Sequence, residues 1–215
     1  MWGIIQHSWD GLYGSGVSTV DWNMDGWDDL TFGNSSGGLR TFLNNQGNGF
    51  TTIHLPIIQQ TESKSIMWLD IDDDGDLDFY YSDAEGRIEI IENIHNTSFT
   101  NVTDMTNIPQ VNIVTEGSSW GDYDNDGDLD LYAANRTGSN RLLNNSEGKF
   151  ESVASNQSPN DPRRSVGACW LDTDADGDLD LFLANQSGDS DALWRNDFGS
   201  FTDIASQLGI DQTLR

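Results

Sequence analysis

The 215-residue chain has one cysteine, four prolines and only ten lysine and arginine residues. A single cysteine excludes a disulfide framework, and the place of Cys169 beside Trp170 in an apolar run predicts a buried thiol. No apolar run approaches the roughly 18 residues of a membrane-spanning helix, so we expect no membrane insertion. The first residues contain neither a basic region nor a cleavage site, and no signal peptide is predicted within this sequence.

Positive charge is scarce, whereas 36 aspartate and glutamate residues give a formal net charge of −26. A surface of this sign repels nucleic acid and anionic lipid, so neither is an expected partner. Disorder is not expected, because 35% hydrophobic and 10% aromatic residues are enough to build a core. The acidic residues are also clustered, since 20 of the 36 lie in ten-residue segments that begin at Asp21, Asp70, Asp122 and Asp172.

Each acidic segment follows one pattern, shown by Asp-Tyr-Asp-Asn-Asp-Gly-Asp-Leu-Asp at residues 122–130. Oxygen-bearing side chains at places one, three, five and nine can converge on one point, where their charges need a cation. Gly127 at place six permits a sharp turn that directs the carbonyl of place seven to the same point. Hard oxygen donors without His or Cys select calcium over zinc or copper. The predicted ligand residues are Asp21, Asn23, Asp25, Trp27 and Asp29; Asp70, Asp72, Asp74, Asp76 and Asp78; Asp122, Asp124, Asp126, Asp128 and Asp130; and Asp172, Asp174, Asp176, Asp178 and Asp180.

An EF-hand begins with a similar loop but closes with a bidentate glutamate at place twelve. No copy has that glutamate, which excludes the motif; place twelve is Phe32, Tyr81, Ala133 or Leu183. The first loop also departs from the others, with Asn23 at place three and Trp27 at place seven. We therefore expect about four calcium ions per chain, one in each loop, with the weakest binding in the first.

The loops recur with periods of 49, 52 and 50 residues, which indicates a repeat array. In each period an apolar segment leads into the loop, an alternating segment leaves it, and two further short strands follow a turn rich in Gly, Ser and Asn. Four short antiparallel strands per roughly 50 residues are typical of a β-propeller blade. We predict an all-β fold in which residues 1–215 form one β-propeller region, or a segment of one, with four antiparallel blades. Recurring residues predicted to mark each unit are Asn44, Asn93, Asn144 and Asn196, and core positions between blades are Trp68, Trp120 and Trp170 with Phe50, Phe99, Phe150 and Phe201.

Residues 120–132, Trp-Gly-Asp-Tyr-Asp-Asn-Asp-Gly-Asp-Leu-Asp-Leu-Tyr, resemble the FG-GAP or VCBS repeat of integrin-alpha-like β-propellers, as do residues 141–150. The stretch 201–210 is similar to the branch that contains cartilage acidic protein and bacterial proteins with an ASPIC/UnbV domain. The resemblance implies calcium in the loop between the first two strands of each blade, in a ring of about seven blades. It also implies an extracellular or surface protein engaged in adhesion or recognition. Four repeats are fewer than that ring, so we expect part of a larger propeller rather than a closed ring of four.

Three functions remain open from the residues. A recognition module would bind a protein or carbohydrate ligand through loops on one face, with Trp9, Tyr13, Trp27 and Trp194 as candidate contacts. A structural array would associate with further blades or with another copy of the chain. The enzyme alternative is a polysaccharide lyase, which needs a base beside a groove.

No catalytic residue is predicted. The three histidines show no metal or triad spacing, and carboxylates held by calcium cannot exchange protons. The one basic pair, Arg163 and Arg164, is interpreted as a solvated loop. We therefore predict a secreted or cell-surface module with structural calcium, since extracellular calcium near the millimolar range fills even weak loops.

Overall fold

The computed structural model describes residues 16–33, 38–58, 61–110, 113–154, 158–159, 161–211 and 213. Sixteen strands form four antiparallel sheets, and in each sheet the four strands lie side by side in chain order. The predicted all-β propeller fold is therefore confirmed. The strands are β1 (Val17–Val20), β2 (Asp29–Phe32), β3 (Arg40–Asn44) and β4 (Phe50–Ile53) in blade one; β5 (Ser63–Leu69), β6 (Asp78–Asp83), β7 (Ile88–Ile94) and β8 (Ser98–Asn101) in blade two; β9 (Thr115–Gly121), β10 (Asp130–Asn135), β11 (Arg141–Ser146) and β12 (Lys149–Ser152) in blade three; and β13 (Ser165–Leu171), β14 (Asp180–Asn185), β15 (Ala192–Asp197) and β16 (Ser200–Asp203) in blade four.

Helical structure is limited to two short elements in the described residues. A 3₁₀ turn covers Thr103–Met105 after blade two, and the helix α1 covers Ala205–Leu208 after blade four. No helix in this part of the chain is long and apolar enough to cross a bilayer. The acidic segments thus lie between strands, as predicted, because each second strand begins at place nine of its loop.

Successive blades meet through their first strands, with β1 beside β5, β5 beside β9 and β9 beside β13. Blades three and four approach most closely where glycine replaces a side chain. A Cβ atom on Gly117 would lie 3.0 Å from the carbonyl oxygen of Val166, and one on Gly121 would lie 2.9 Å from the Trp170 ring. Within the described ranges, β13 makes no comparable contact with β1.

Aromatic side chains fill the spaces between blades. Trp22 of blade one stacks on Trp68 of blade two with ring centroids 5.4 Å apart, and Phe99 packs edge-on against both. Tyr123, Trp170 and Phe201 form the corresponding group between blades three and four. The predicted core role of the recurring Trp and Phe residues is confirmed for these positions.

Two core predictions are wrong. Phe50 is 53% exposed. The other recurring Phe residues pack against the preceding blade, whereas Phe50 lies in blade one, which no described blade precedes. Cys169 is also exposed. Successive side chains of a strand point to opposite faces, so Cys169 in β13 points away from the face on which Trp170 meets blade three.

Candidate metal centre

The four acidic segments fold into the same turn between the first and second strands of a blade. In blade three the Asp122 carboxylate accepts hydrogen bonds from the N–H groups of Asp126 and Gly127, both at 3.0 Å. The backbone is left-handed at place four, where φ of Asn125 is +61°, and φ of Gly127 is +103°. A side chain at place six would be strained, which is why each loop has glycine there. Equivalent bonds to the first aspartate form in the other loops, with Ala175 replacing the place-five donor in blade four.

The aspartate at place nine is buried at the start of each second strand. Asp29, Asp78, Asp130 and Asp180 are each at most 2% exposed. Asp130 accepts hydrogen bonds from the N–H of Asn145 at 2.8 Å and from the N–H of Tyr123 at 3.1 Å. Asp78 and Asp180 make the same pair of bonds in their own blades. The protein backbone therefore fixes this carboxylate without help from an ion.

Burial raises the pKa of these carboxyl groups, to about 6 for Asp29 and about 7 for Asp78 and Asp130. Backbone hydrogen bonds oppose the rise, and neighbouring aspartates add to it. At place three, desolvation and then neighbouring acids also raise the pKa of Asp72 and of Asp124. A divalent cation would reverse these shifts by stabilising the ionised forms.

In three blades the structure brings predicted ligand carboxylates together. The ligand atoms of each group lie within 4.8 Å of one another; the groups are Asp70, Asp72 and Asp78 in blade two, Asp122, Asp124 and Asp130 in blade three, and Asp172, Asp174 and Asp176 in blade four. Asp126, Asp128, Asp178 and Asp180 do not join these groups. Among the described residues, the acidic side chains of blade one, Asp21, Asp25 and Asp29, form no such group. Three oxygen donors in each of three loops fit a hard divalent cation, with the backbone carbonyl of place seven as the further predicted donor.

The side chains at place seven are engaged elsewhere. Asp128 accepts a hydrogen bond at 2.9 Å from the N–H of Glu147, in the turn between the third and fourth strands. Asp76 and Asp178 accept the equivalent bonds from His95 and Phe198. In blade one the predicted ligand Trp27 instead lies against Gly47, where a Cβ atom would be 3.2 Å from the indole ring.

In blades two, three and four, a buried asparagine on the third strand ties the acidic loop to the blade before it. The Nδ2 atom of Asn145 donates to the carbonyl oxygen of Leu129 in its own loop at 3.1 Å and to that of Ile71 in blade two at 2.9 Å. Asn93 and Asn196 make the same two kinds of bond in blades two and four. All three asparagines are completely buried. The backbone carbonyl at place two of each of the first three loops thus accepts a hydrogen bond from the third strand of the next blade.

The sequence prediction placed this asparagine at Asn144 in blade three, which is wrong by one residue. Asn144 is partly exposed, and its side chain donates to Asp124 at 2.8 Å. A constant offset from the first aspartate would have found Asn145, because the interval is 23 residues in each of the first three blades. His95 is an exposed turn residue, and the structure places it near Asp74 and Asp76, which no spacing in the sequence predicted.

Arg163 of the basic pair is part of an ion-pair network, whereas Arg164 is exposed in a loop, as predicted. The Arg163 guanidinium contacts both Asp161 and Asp203, the latter at 2.8 Å, and Arg164 pairs with Asp189 at 3.2 Å. Trp194, a candidate ligand contact, donates to the buried Asp161 at 3.2 Å. The other candidates, Trp9 and Tyr13, lie outside the described residues, as does His7.

The chain is built from four-stranded antiparallel blades, each with an acidic loop between its first two strands. This architecture is that of a β-propeller made of sequence repeats. The FG-GAP-like repeat family matches residues 21–81, 70–133 and 122–183, and the chain belongs to this family. The fold is similar to a chain in a solved structure described as the crystal structure of BBS1N in complex with ARL6DN, soaked with lead, with a TM-score of 0.54 and 13% identity. The match covers 89% of this chain and 56% of that chain, and at this identity it shows the fold alone. No curated protein matches the sequence.

Proposed function

We propose that the chain is a calcium-stabilised β-propeller module of an extracellular or cell-surface protein, serving adhesion or recognition of a protein or carbohydrate ligand. The observation that carries the proposal is the same acidic turn in four blades, with carboxylates gathered within 4.8 Å in three of them. Membership of the FG-GAP-like repeat family supports it. Millimolar calcium outside the cell would keep even weak loops of this kind filled.

In this proposal calcium is structural and not catalytic. Backbone N–H groups already bond to the carboxylates at places one and nine and fix their geometry. Calcium in the loop would hold these groups ionised, so they would not exchange protons with a substrate. An ion in a loop would neutralise acids that otherwise repel one another beside the contact with the next blade. Four ions would remove eight negative charges, leaving a net charge of about −18 from −26.

Thermal unfolding with calcium and with a chelator tests the structural role. Because an ion that binds only folded chain stabilises it by mass action, we expect the melting temperature to fall markedly on chelation. Magnesium serves as the control ion, since it requires tighter octahedral geometry and should not restore the calcium-loaded value. An unchanged melting temperature after complete calcium removal would reject the structural role.

Recognition and catalysis are tested separately with the calcium-loaded protein. Trp27 is a candidate ligand contact because the residue is 43% exposed at the acidic loop of blade one. We expect binding to a member of a glycan and extracellular-protein panel, with weaker binding for Trp27→Ala. Release of reducing or unsaturated sugar ends from polysaccharides would instead support the enzyme alternative and contradict a non-catalytic module.

A further inference from the structure

Blade two differs from the other blades in a second group of metal-binding side chains. Carboxylate oxygens of Asp74 and Asp76 and an imidazole nitrogen of His95 lie within 4.8 Å of one another. This group is separate from Asp70, Asp72 and Asp78, which form the oxygen-only group of the same loop. Among the described residues it is the one such group that contains a nitrogen donor.

Local hydrogen bonds hold the three residues in place. The Asp74 carboxylate accepts from the N–H of Asp76 at 3.0 Å, and the Asp76 carboxylate accepts from the N–H of His95 at 2.7 Å. His95 has a left-handed backbone with φ of +52°, at the turn between β7 and β8. The buried Asn93 donates to the Asn96 side chain at 3.1 Å and thereby braces the same turn. The fold therefore fixes the two carboxylates and the backbone of His95, which places the imidazole beside them.

Asp76 has an oxygen that the protein does not satisfy. The residue is 4% exposed, and its Oδ1 atom is buried without a hydrogen-bond partner. In blade four the equivalent Asp178 receives a bond at 3.0 Å from the side chain of Asn125, at place four of the preceding loop. Place four of the loop preceding Asp76 is Met24, which has no donor. A buried, unpaired carboxylate oxygen beside another acid and an imidazole is the environment of a cation ligand.

We propose that Asp74, Asp76 and His95 bind a divalent transition-metal ion of the zinc class, in addition to calcium in the loop. Imidazole favours zinc, nickel, copper and iron over calcium and magnesium, which prefer oxygen. Three protein donors leave coordination positions for water or for a donor from another molecule. Asp74 and Asp76 were predicted from the sequence as calcium ligands, but their carboxylates do not join the group of Asp70, Asp72 and Asp78. The two ions would therefore use different side chains, and the inference does not require calcium in the loops.

Calorimetric titration of zinc chloride into calcium-saturated protein tests the site. We expect one zinc ion per chain and a loss of affinity of about tenfold or more in His95→Gln. Glutamine is a matched replacement, since Gln46 holds the equivalent turn position in blade one with φ of +55°. Asp76→Asn should weaken zinc binding similarly, because it keeps the acceptor for the His95 N–H but removes the charge.

His54→Gln is the control variant, because His54 is an exposed histidine of blade one outside the group. It should bind zinc as the unaltered protein does. Zinc-dependent shifts of the His95 imidazole nitrogen resonances give a second readout, which a purely structural role would not produce. The proposal is overturned if the unaltered protein binds no zinc, or if His95→Gln binds it equally well. The proposed function can fail separately. If chelation of calcium does not change the melting temperature but zinc still binds and depends on His95, the structural role of calcium is rejected and the zinc site is supported.

Discussion

At the scale of single residues, Asn144 and Asn145 show how neighbouring identical side chains can have different roles. Asn145 is completely buried and donates to two backbone carbonyls in different blades. Asn144 is partly exposed, and its side chain donates to the loop aspartate Asp124. The difference follows from the alternation of side chains along β11, which directs one asparagine to the blade interface and the other to the loop surface.

Replacing Asn145 with alanine should lower the free energy of unfolding by about 3 kcal/mol, because two buried carbonyl groups lose their donor. Asn144→Ala is the matched comparison and should lower the free energy of unfolding by less, about 1 kcal/mol, because it removes a partly exposed hydrogen bond. Urea denaturation in saturating calcium measures both values. Equal effects of the two substitutions would show that the bond between blades contributes little.

The sequence predicts some of these residue roles and not others. Local spacing predicts the carboxylates at places one and three, which the turn brings together in blades two, three and four, with place nine or place five as the third member. His95 joins Asp74 and Asp76 only because the turn between the third and fourth strands folds over the loop. That contact joins residues about 20 positions apart in sequence, and no local periodicity encodes it.

At the scale of the element, the acidic loop is a preformed turn whose ion affinity depends on how many anionic groups it supplies. The first loop has the same backbone bonds, with Asp21 accepting from Asp25 at 2.9 Å. It lacks the third-place carboxylate, because Asn23 stands there. The first loop therefore has the same backbone turn as the others but supplies one carboxylate fewer at the predicted ligand positions.

A calcium titration should resolve one weaker class of site alongside a tighter class. Asn23→Asp restores the missing carboxylate and should tighten the weak class toward the others. The substitution Asp28→Leu is the control, because it gives place eight the leucine of the other loops without adding a ligand. Four indistinguishable sites in the unaltered protein would contradict the assignment.

The buried place-nine carboxyls predict opposite pH dependences with and without calcium. Asp78 and Asp130 have a pKa of about 7 in the folded chain against 3.8 ordinarily, so the folded state binds more protons between these values. Stability of the calcium-depleted protein should therefore fall as the pH rises from about 4 to about 7. In excess calcium, protons compete with the ion, and the apparent affinity should fall as the pH drops below about 7. Urea midpoints of both forms across this range provide the measurement, and identical trends would contradict the assignment.

At the scale of the whole molecule, the repeat period and the strand pattern within each period were enough to predict four antiparallel blades. Each second strand begins at place nine, which the change from acidic to apolar residues marks in the sequence. The exposure of Phe50 and Cys169 was not predictable in the same way. It depends on which blade faces have a neighbour, and a repeat pattern gives every unit the same expected surroundings.

The end blades should make the isolated chain self-associate. Blade one exposes 66% of Val17 and 53% of Phe50, and blade four exposes 37% of Val166. Apolar faces of this kind are usually covered by further structure, and we propose that further blades or another copy of the chain cover them here. Light scattering in calcium should give a mass above the 23.8 kDa of one chain, rising with concentration. The double substitution Val17→Ser and Phe50→Ser should lower it, whereas a constant single-chain mass would contradict this expectation.

The asparagine bonds between blades also have a direction. Asn93, Asn145 and Asn196 each reach back to a carbonyl of the blade that precedes them in the chain. A ribosome releases the earlier blade first, so each asparagine emerges when its acceptor is already made. Assembly can therefore proceed blade by blade during synthesis, with every new unit docking on a finished one and none waiting for a partner still to be translated.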